Sequence, residues 1–145
     1  MKIIRITTDN EISVHEFPEG TFAEQNEVLR NLIGPKCELI EHVMPKRLYN
    51  VIGASNTVRR ELGSCANILI DEDGHYHKLP VNVVGSWMYE TDKHGYPILG
   101  NILVAGETWH GAGIDFCGLS EEQFDIIYPK IKALAELAEK ARKCK

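Results

Sequence analysis

The chain has 145 residues, 43% of them hydrophobic and 26% charged, and its 21 acidic and 16 basic residues give a net charge of −5. This length is typical of one domain, and the composition is that of a globular protein rather than a disordered one. The acidic balance argues against bulk nucleic-acid binding, which usually needs a basic excess. It still allows a pocket for one small anion, which needs only two or three Arg or Lys side chains.

The four cysteines, Cys37, Cys65, Cys117 and Cys144, are far apart in the sequence. They form neither a Cys-x-x-Cys pair nor a zinc-ribbon pattern, which predicts free thiols in a reducing compartment. No stretch approaches the ~20 apolar residues of a membrane span, and the short apolar run after Met1 is too polar for a signal peptide. The sequence therefore predicts a cytoplasmic protein that does not enter a membrane.

The first third of the chain predicts a β-hairpin followed by a helix. Residues 2–7 and 11–17 are rich in residues that favour strands, and residues 8–10 between them are turn formers. Thr21 to Glu24 fit a capping box at the start of a helix. Gly34-Pro35 ends this helix, since proline is a barrier to continuation.

The middle of the chain predicts short strands separated by turns and loops. Residues 71–74, Asp-Glu-Asp-Gly, are a strong turn signal inside a second hairpin. Residues 83–90 fit either a strand or a short helix. Residues 107–118 are rich in glycine without clear periodicity, which predicts an irregular surface loop. The predicted strands of this region are residues 37–44, 66–71, 75–79 and 98–105.

The chain ends in a predicted long helix. Residues 120–123 are a capping-box pattern, and apolar residues between Phe124 and Ala141 recur at steps of three and four. Pro129 lacks an amide hydrogen, so we expect a kink there or the start of a new helix. Together the elements predict one α+β domain, residues 1–145. It has a mostly antiparallel sheet opened by a β-hairpin, with the early helix and the long C-terminal helix packed on one face.

The segment from Lys46 to Ser64 has the strongest signal of a binding site. Guanidinium groups bind phosphates with two parallel hydrogen bonds. A short helix predicted over residues 56–62, capped by Ser55, would also offer free amides to an anion. The alternative is a solvated helix face with ordinary ion pairs. The candidate ligand-binding residues of this segment are Arg47, Tyr49, Ser55, Asn56, Arg59 and Arg60.

Residues 106–113 are a second candidate ligand-binding segment, because glycine allows a ligand to approach the backbone closely. Trp109 could stack on a base, and His110 could bond a phosphate or transfer a proton. The segment is neither a Walker loop nor a dinucleotide fingerprint, since the residues that complete those motifs are missing. The alternative is a surface loop in which Trp109 packs inward.

Signals of catalysis are weaker. His75 and His77, one residue apart on a predicted strand, would share a face and could hold a metal ion. Further ligands would come from His94, His110 or Cys117. The alternative is two exposed histidines at the end of a hairpin. No nucleophile elbow and no acid–base pair of carboxylates can be named, so the sequence predicts no catalytic residue, no metal ligand and no cofactor.

Several patches of the sequence resemble a known family. The patches are residues 17–20, 71–74, 78–82, 97–106 and 119–123. In this order they resemble the domain-of-unknown-function family three-eight-four-six, whose members are short proteins often encoded by phages and mobile elements. The chain departs from the family pattern between Pro45 and Ser64, where it is longer. Because the family has no established catalytic residues, the resemblance implies a phage-like genetic setting and transfers no site residue.

Three functions are compatible with these observations. The first is a non-enzymatic protein that binds a small anionic ligand, as a phage anti-defence protein would when it sequesters a cyclic-nucleotide or ADP-ribose-type signal in the host cytoplasm. The second is a protein-interaction module that inhibits a host defence effector or nuclease. The third is a metal-assisted hydrolase that uses His75 and His77. We expect a homo-oligomer, since small ligand-capturing proteins often build pockets between subunits and two-fold dimers are the commonest assembly.

Overall fold

The computed structural model describes residues 1–59, 61–110 and 113–144, and for His110 and Ile114 it describes the backbone alone. This part of the chain contains both helices and strands, which confirms the predicted α+β class. In chain order the elements are β1 (Lys2–Ile6), β2 (Ile12–Glu16), α1 (Phe22–Ile33), β3 (Ile40–Val43), α2 (Lys46–Asn50), β4 (Cys65–Asp71), α3 (Val83–Met88), α4 (Thr91–His94), β5 (Ile102–His110), β6 (Gly113–Cys117) and α5 (Glu121–Lys143).

The strands form one antiparallel sheet with the order β2-β1-β5-β4-β3, and β6 also pairs with β5. The predicted β1–β2 hairpin is confirmed, with Ile4 opposite Val14. β4 pairs with one edge of β5 as far as Glu107. β1 and β6 lie end to end along the other edge, β1 against residues 102–104 and β6 against residues 106–110. The β5–β6 hairpin therefore extends beyond the end of β4.

Helices cover both faces of the sheet, because the central strands are apolar on both sides. Val104 packs in a core cluster with Ile127 of α5, whereas its neighbour Leu103 packs in a second cluster with Leu29 and Ile33 of α1. We call these two sides of the sheet the α5 face and the α1 face. The prediction that the helices share one face is wrong, since successive side chains of a strand point to opposite sides and each side needs its own cover.

Helix α1 begins and ends where the sequence predicts. The Thr21 Oγ1 atom accepts a hydrogen bond from the Glu24 amide at 3.2 Å, and Glu24 Oε1 accepts one from the Thr21 amide at 3.2 Å. These reciprocal bonds satisfy two amides that a helix start would otherwise leave free. At the other end, the Gly34 amide donates to the Arg30 carbonyl at 2.9 Å.

Thr21→Ala should lower the free energy of unfolding by about 1 kcal/mol, the usual cost of losing an N-cap hydroxyl. Urea denaturation measures this change directly. Thr57→Ala is the matched control, because Thr57 is exposed and caps no helix, and its effect should stay within about 0.5 kcal/mol. Equal losses in the two variants would mean that the capping box does not stabilise α1.

Residues 72–78 form a series of turns, so the predicted second strand of a hairpin over residues 75–79 is wrong. The Asp71 carboxylate holds the turns, because Oδ1 accepts from the Asp73 amide at 2.8 Å and Oδ2 contacts His77 Nδ1 at 2.9 Å. His75 and His77 therefore do not share a strand face, and the geometric basis of the metal-pair hypothesis is lost.

The predicted loop over residues 107–118 is also wrong. Residues 107–110 continue β5 and residues 113–117 form β6, with Glu107 opposite Phe116 and Trp109 opposite Ile114. The backbone ladder joins the two strands, and Phe116 packs against the core cluster of the α1 face, so the segment forms a hairpin despite its glycine content.

Helices α3 and α5 settle two further predictions. Residues 83–88 form helix α3, whose cap Asn82 accepts from the Gly85 amide through Oδ1 at 2.9 Å. Helix α5 begins after its predicted cap Ser120 and runs through Pro129 as one helix, so a new helix does not begin there. No helix in the described residues is long and apolar enough to span a membrane.

Candidate functional site

Arg47 lies in an ion-pair network. Its guanidinium donates to both carboxylate oxygens of Asp92, at 2.6 and 2.9 Å, and to the Trp87 carbonyl at 2.9 Å. The hydrogen bonds between the two side chains raise the pKa of Arg47 and lower the pKa of Asp92. An arginine that already binds a carboxylate in a bidentate pair has few N–H donors left for a ligand anion. The structure therefore gives Arg47 a structural role between α2 and the segment after α3.

Tyr49 and Ser55 cover an edge of the sheet. β3 pairs with β4 as far as Ile68. Beyond that point, Tyr49 and Ser55 form hydrogen bonds with the backbone of Ala66 in place of a strand. Tyr49 Oη donates to the Ala66 carbonyl at 2.8 Å, and the Ala66 amide donates to the Ser55 carbonyl at 2.8 Å. Burial raises the pKa of Tyr49. These contacts satisfy backbone groups that an edge strand leaves free.

Asn56 and Arg59 lie in the exposed segment that leads into β4. Residues 53–59 contain no helix, because Ser55 Oγ accepts from the Thr57 amide at 3.2 Å in a local turn that competes with a helical start. The predicted helix over residues 56–62 is wrong for the described residues 56–59 and 61–62, so no helix start provides free amides to an anion there, and the role of Ser55, Asn56 and Arg59 in ligand binding stays a prediction. Arg60 lies outside the described residues.

Close backbone packing joins this segment to the sheet. Gly63 has a φ of 74°, and a Cβ atom added to it would lie 2.2 Å from the Gly118 carbonyl oxygen. A Cβ atom on Gly106 of β5 would lie 2.9 Å from the Gly63 Cα atom. Only glycine permits backbones to approach so closely. The segment with Arg59 therefore lies against the end of β5 from which the β5–β6 hairpin extends.

Trp109 lies on that hairpin and is 60% exposed, so the alternative in which it packs inward is wrong. Side chains alternate along a strand, which places Trp109 on the α1 face, two residues beyond Glu107. Gly106, against which Gly63 packs, points to the α5 face by the same alternation. The segment with Arg59 and the side chain of Trp109 therefore lie at one end of the sheet but on its two different faces. Arg47 is elsewhere, since its guanidinium is held against the Trp87 carbonyl and the Asp92 carboxylate. The side chain of His110, the last residue of β5, lies outside the described part of the chain.

A buried group of polar side chains lies on the α1 face beside Trp109. We call His42, Cys65, Asn67 and Glu107 the polar cluster. Glu107 Oε1 accepts from Asn67 Nδ2 at 2.5 Å and lies 3.2 Å from His42 Nε2, and Oε2 accepts from the Cys65 thiol at 3.5 Å. Three members are at most 2% exposed, whereas the His42 side chain is 38% exposed. His42 is therefore the member through which the polar cluster meets solvent.

The hydrogen-bond roles within the polar cluster follow from the chemistry of its groups. An ionised Glu107 can only accept, so His42 donates from Nε2 and carries a lone pair on Nδ1 when it is neutral. Burial, and then the charge of Glu107, raise the pKa of the Cys65 thiol to about 12. Cys65 is therefore protonated at neutral pH and is a poor nucleophile. Asn67 Oδ1 is buried with no hydrogen-bond partner among the described residues, which is uncommon in native proteins.

The polar cluster was not identified from the sequence. His42 and Glu107 are far apart along the chain, and the register of β3, β4 and β5 brings them together. One signal was present: Asn67 interrupts the otherwise apolar run Ala66–Ile70, and a polar residue on a buried strand needs a partner.

No family model, no curated protein and no solved structure matches the chain. The resemblance to family three-eight-four-six stays a prediction from its sequence patches. Among the residues that the structure describes, no group of three or more His, Cys, Asp or Glu side chains is placed to hold a metal ion.

Proposed function

We propose that the protein binds a small anionic ligand of the nucleotide type at the end of the sheet where Arg59 and Trp109 emerge, and that it holds this ligand without converting it. The observation that carries the proposal is the exposed Trp109 beside the polar cluster, on the same face of β5. A base that stacks on an aromatic side chain gains about 1–3 kcal/mol of binding free energy, and this gain depends little on which base it is.

The two ends of a nucleotide would meet different groups at this site. Arg59 is exposed, and a guanidinium group fits a phosphate with two parallel hydrogen bonds. On the α1 face, the partly exposed His42 would accept a hydrogen bond through its Nδ1 lone pair from a donor on the base or the sugar. The protonated Cys65 gives the site no ready nucleophile, in keeping with binding without turnover.

In the phage-like setting that the resemblance implies, such a protein would sequester a cyclic-nucleotide or ADP-ribose-type defence signal in the host cytoplasm. Sequestration requires slow release of the ligand, and release rates account for most differences in affinity. A homo-oligomer would serve this purpose, because the exposed β5–β6 hairpins of two copies could enclose one ligand between them.

Trp109→Ala should weaken ligand binding by roughly tenfold or more, the loss expected when one base loses its stacking partner. The ligand is first sought by thermal melting against cyclic dinucleotides, cyclic trinucleotides, cyclic ADP-ribose isomers and common nucleotides. A ligand at a hundred times its dissociation constant stabilises a protein by about 2.7 kcal/mol. Calorimetric titration of the selected ligand into both proteins then gives the ratio of dissociation constants.

Tyr76→Ala is the matched control, because Tyr76 is 84% exposed and lies in the turns after β4. It should bind the ligand as the unmodified protein does. Equal affinity of the Trp109 variant would remove Trp109 from the site. Recovery of an altered ligand after denaturation and chromatography would contradict binding without turnover and make the protein an enzyme.

A further inference from the structure

A second cleft lies at the opposite end of the sheet, between the C-terminal end of α1 and the segment that follows β4. Its volume is about 190 Å³. Much of its lining is apolar, from Ile33, Pro35, Leu79 and Pro80, and the buried side chains of Asp71 and Cys37 also line it. The cleft is separate from the site proposed above, because Asp71 ends β4 whereas the polar cluster lies near its start.

Asp71 is a buried charge with room for a further partner. It is 3% exposed, and its two oxygens accept one hydrogen bond each, from the Asp73 amide and from His77 Nδ1. A carboxylate can accept about four hydrogen bonds, so a donor that enters the cleft finds free lone pairs. Burial makes such a contact stronger than it would be in water.

The groups around the cleft include acceptors that favour a cation and one cation already in place, Arg5, whose Nε donates to the Leu32 carbonyl at the end of α1 at 2.6 Å. The cleft lies at the C-terminal end of α1, where the carbonyl dipoles favour cations. Burial raises the pKa of the Cys37 thiol to about 11, and the charges of Asp71 and Asp73 add to this effect while Arg30 opposes it. Lys36 is the cation among the lining residues, and it is exposed.

We propose that this cleft binds a small primary amine. The ammonium group would donate to the Asp71 carboxylate in a charge-assisted hydrogen bond, and the hydrocarbon part would lie against Pro35 and Leu79, where it leaves water. The same geometry disfavours an anion, which would face a buried carboxylate. A neutral ligand of the same shape would gain the apolar contact without the charged one.

Thermal melting tests the assignment with n-butylamine, n-butanol and butyrate at neutral pH and constant ionic strength. Butylamine should raise the melting temperature in a concentration-dependent way, and the two other compounds should not. Asp71→Asn should abolish the butylamine shift, since asparagine keeps an oxygen for the Asp73 amide but has no charge. Lys36→Ala should enlarge the shift, because it removes a competing cation from the rim.

Gly34→Phe keeps the test valid if Asp71→Asn does not fold. Gly34 lines the cleft, has an extended φ of 170°, and has no atom within 4 Å of an added Cβ, so a larger side chain fits at the rim and should block entry. Glu41→Gln is the charge control, since Glu41 is an exposed carboxylate on β3, and it should keep the shift. An equal shift with butanol would overturn the proposal. So would a butylamine shift that survives Asp71→Asn or, where that variant does not fold, one that survives Gly34→Phe.

Discussion

Asn82→Ala should lower the free energy of unfolding by about 3–4 kcal/mol. Asn82 is fully buried, and its Nδ2 donates to the carbonyls of Ile6 and Gly100 at 3.1 and 3.0 Å. Its Oδ1 accepts from the Gly85 amide and caps α3. Alanine would leave three buried backbone groups without these partners, at about 1–3 kcal/mol each before relaxation, and would also remove an N-cap worth about 1 kcal/mol.

Two variants separate the causes of this loss. Asn82→Asp keeps an oxygen for the Gly85 amide but turns an acceptor toward the carbonyls of Ile6 and Gly100, so it should be about as destabilising as alanine. Asn56→Ala removes an exposed side chain whose Oδ1 accepts a hydrogen bond from Thr57 Oγ1 at 3.4 Å, and it should change stability by less than about 0.5 kcal/mol. Urea denaturation with an unchanged slope measures all three. A stable Asn82→Asp variant would show that the two donated bonds contribute little.

Elements that the sequence predicts well are those specified by neighbouring residues. The β1–β2 hairpin and the starts of α1 and α5 rest on turn formers and capping residues, whose effect reaches only a few positions. The β5–β6 hairpin depends instead on the pairing of two strands and on the packing of Phe116 against the core cluster of the α1 face, which a composition typical of loops does not reveal. The position of α1 opposite α5 depends on both faces of β5 being apolar, and helix periodicity does not contain that information.

The candidate site is harder to predict, because the same residue types serve as ligand-binding side chains and as hydrogen-bonding partners within the protein. By residue type Arg47 is a plausible phosphate ligand, but its guanidinium binds the carboxylate of Asp92, which lies far along the chain. Tyr49 likewise donates inward, to a strand edge. The exposure that makes Arg59 and Trp109 available is set by the tertiary fold. Residue types therefore predict which chemistry a site could have. The fold determines which of these residues are exposed and close enough to form the site.

Glu107→Ala should lower the free energy of unfolding by about 3 kcal/mol, because it removes the acceptor that all other members of the polar cluster share. Asn67 and Cys65 are fully buried and donate to this carboxylate. Asn67 Oδ1 already lacks a partner, so the truncation would leave the whole buried amide unsatisfied. A buried donor that is left without its acceptor typically costs about 1–3 kcal/mol. Chemical denaturation measures the loss.

Glu16→Ala is the matched control for this prediction, since its carboxylate is 72% exposed and pairs with the Met1 amino group at the surface. Exposed ion pairs contribute about 0–1 kcal/mol, so the control should change little. The double substitution Glu107→Leu with Asn67→Leu should recover much of the lost stability, because it replaces both polar partners with apolar groups. If it does, the polar cluster costs stability relative to an apolar core, which would favour a role in the proposed ligand binding over a role in folding. A double variant as unstable as Glu107→Ala would instead mean that the polar contacts are needed to pack β3, β4 and β5.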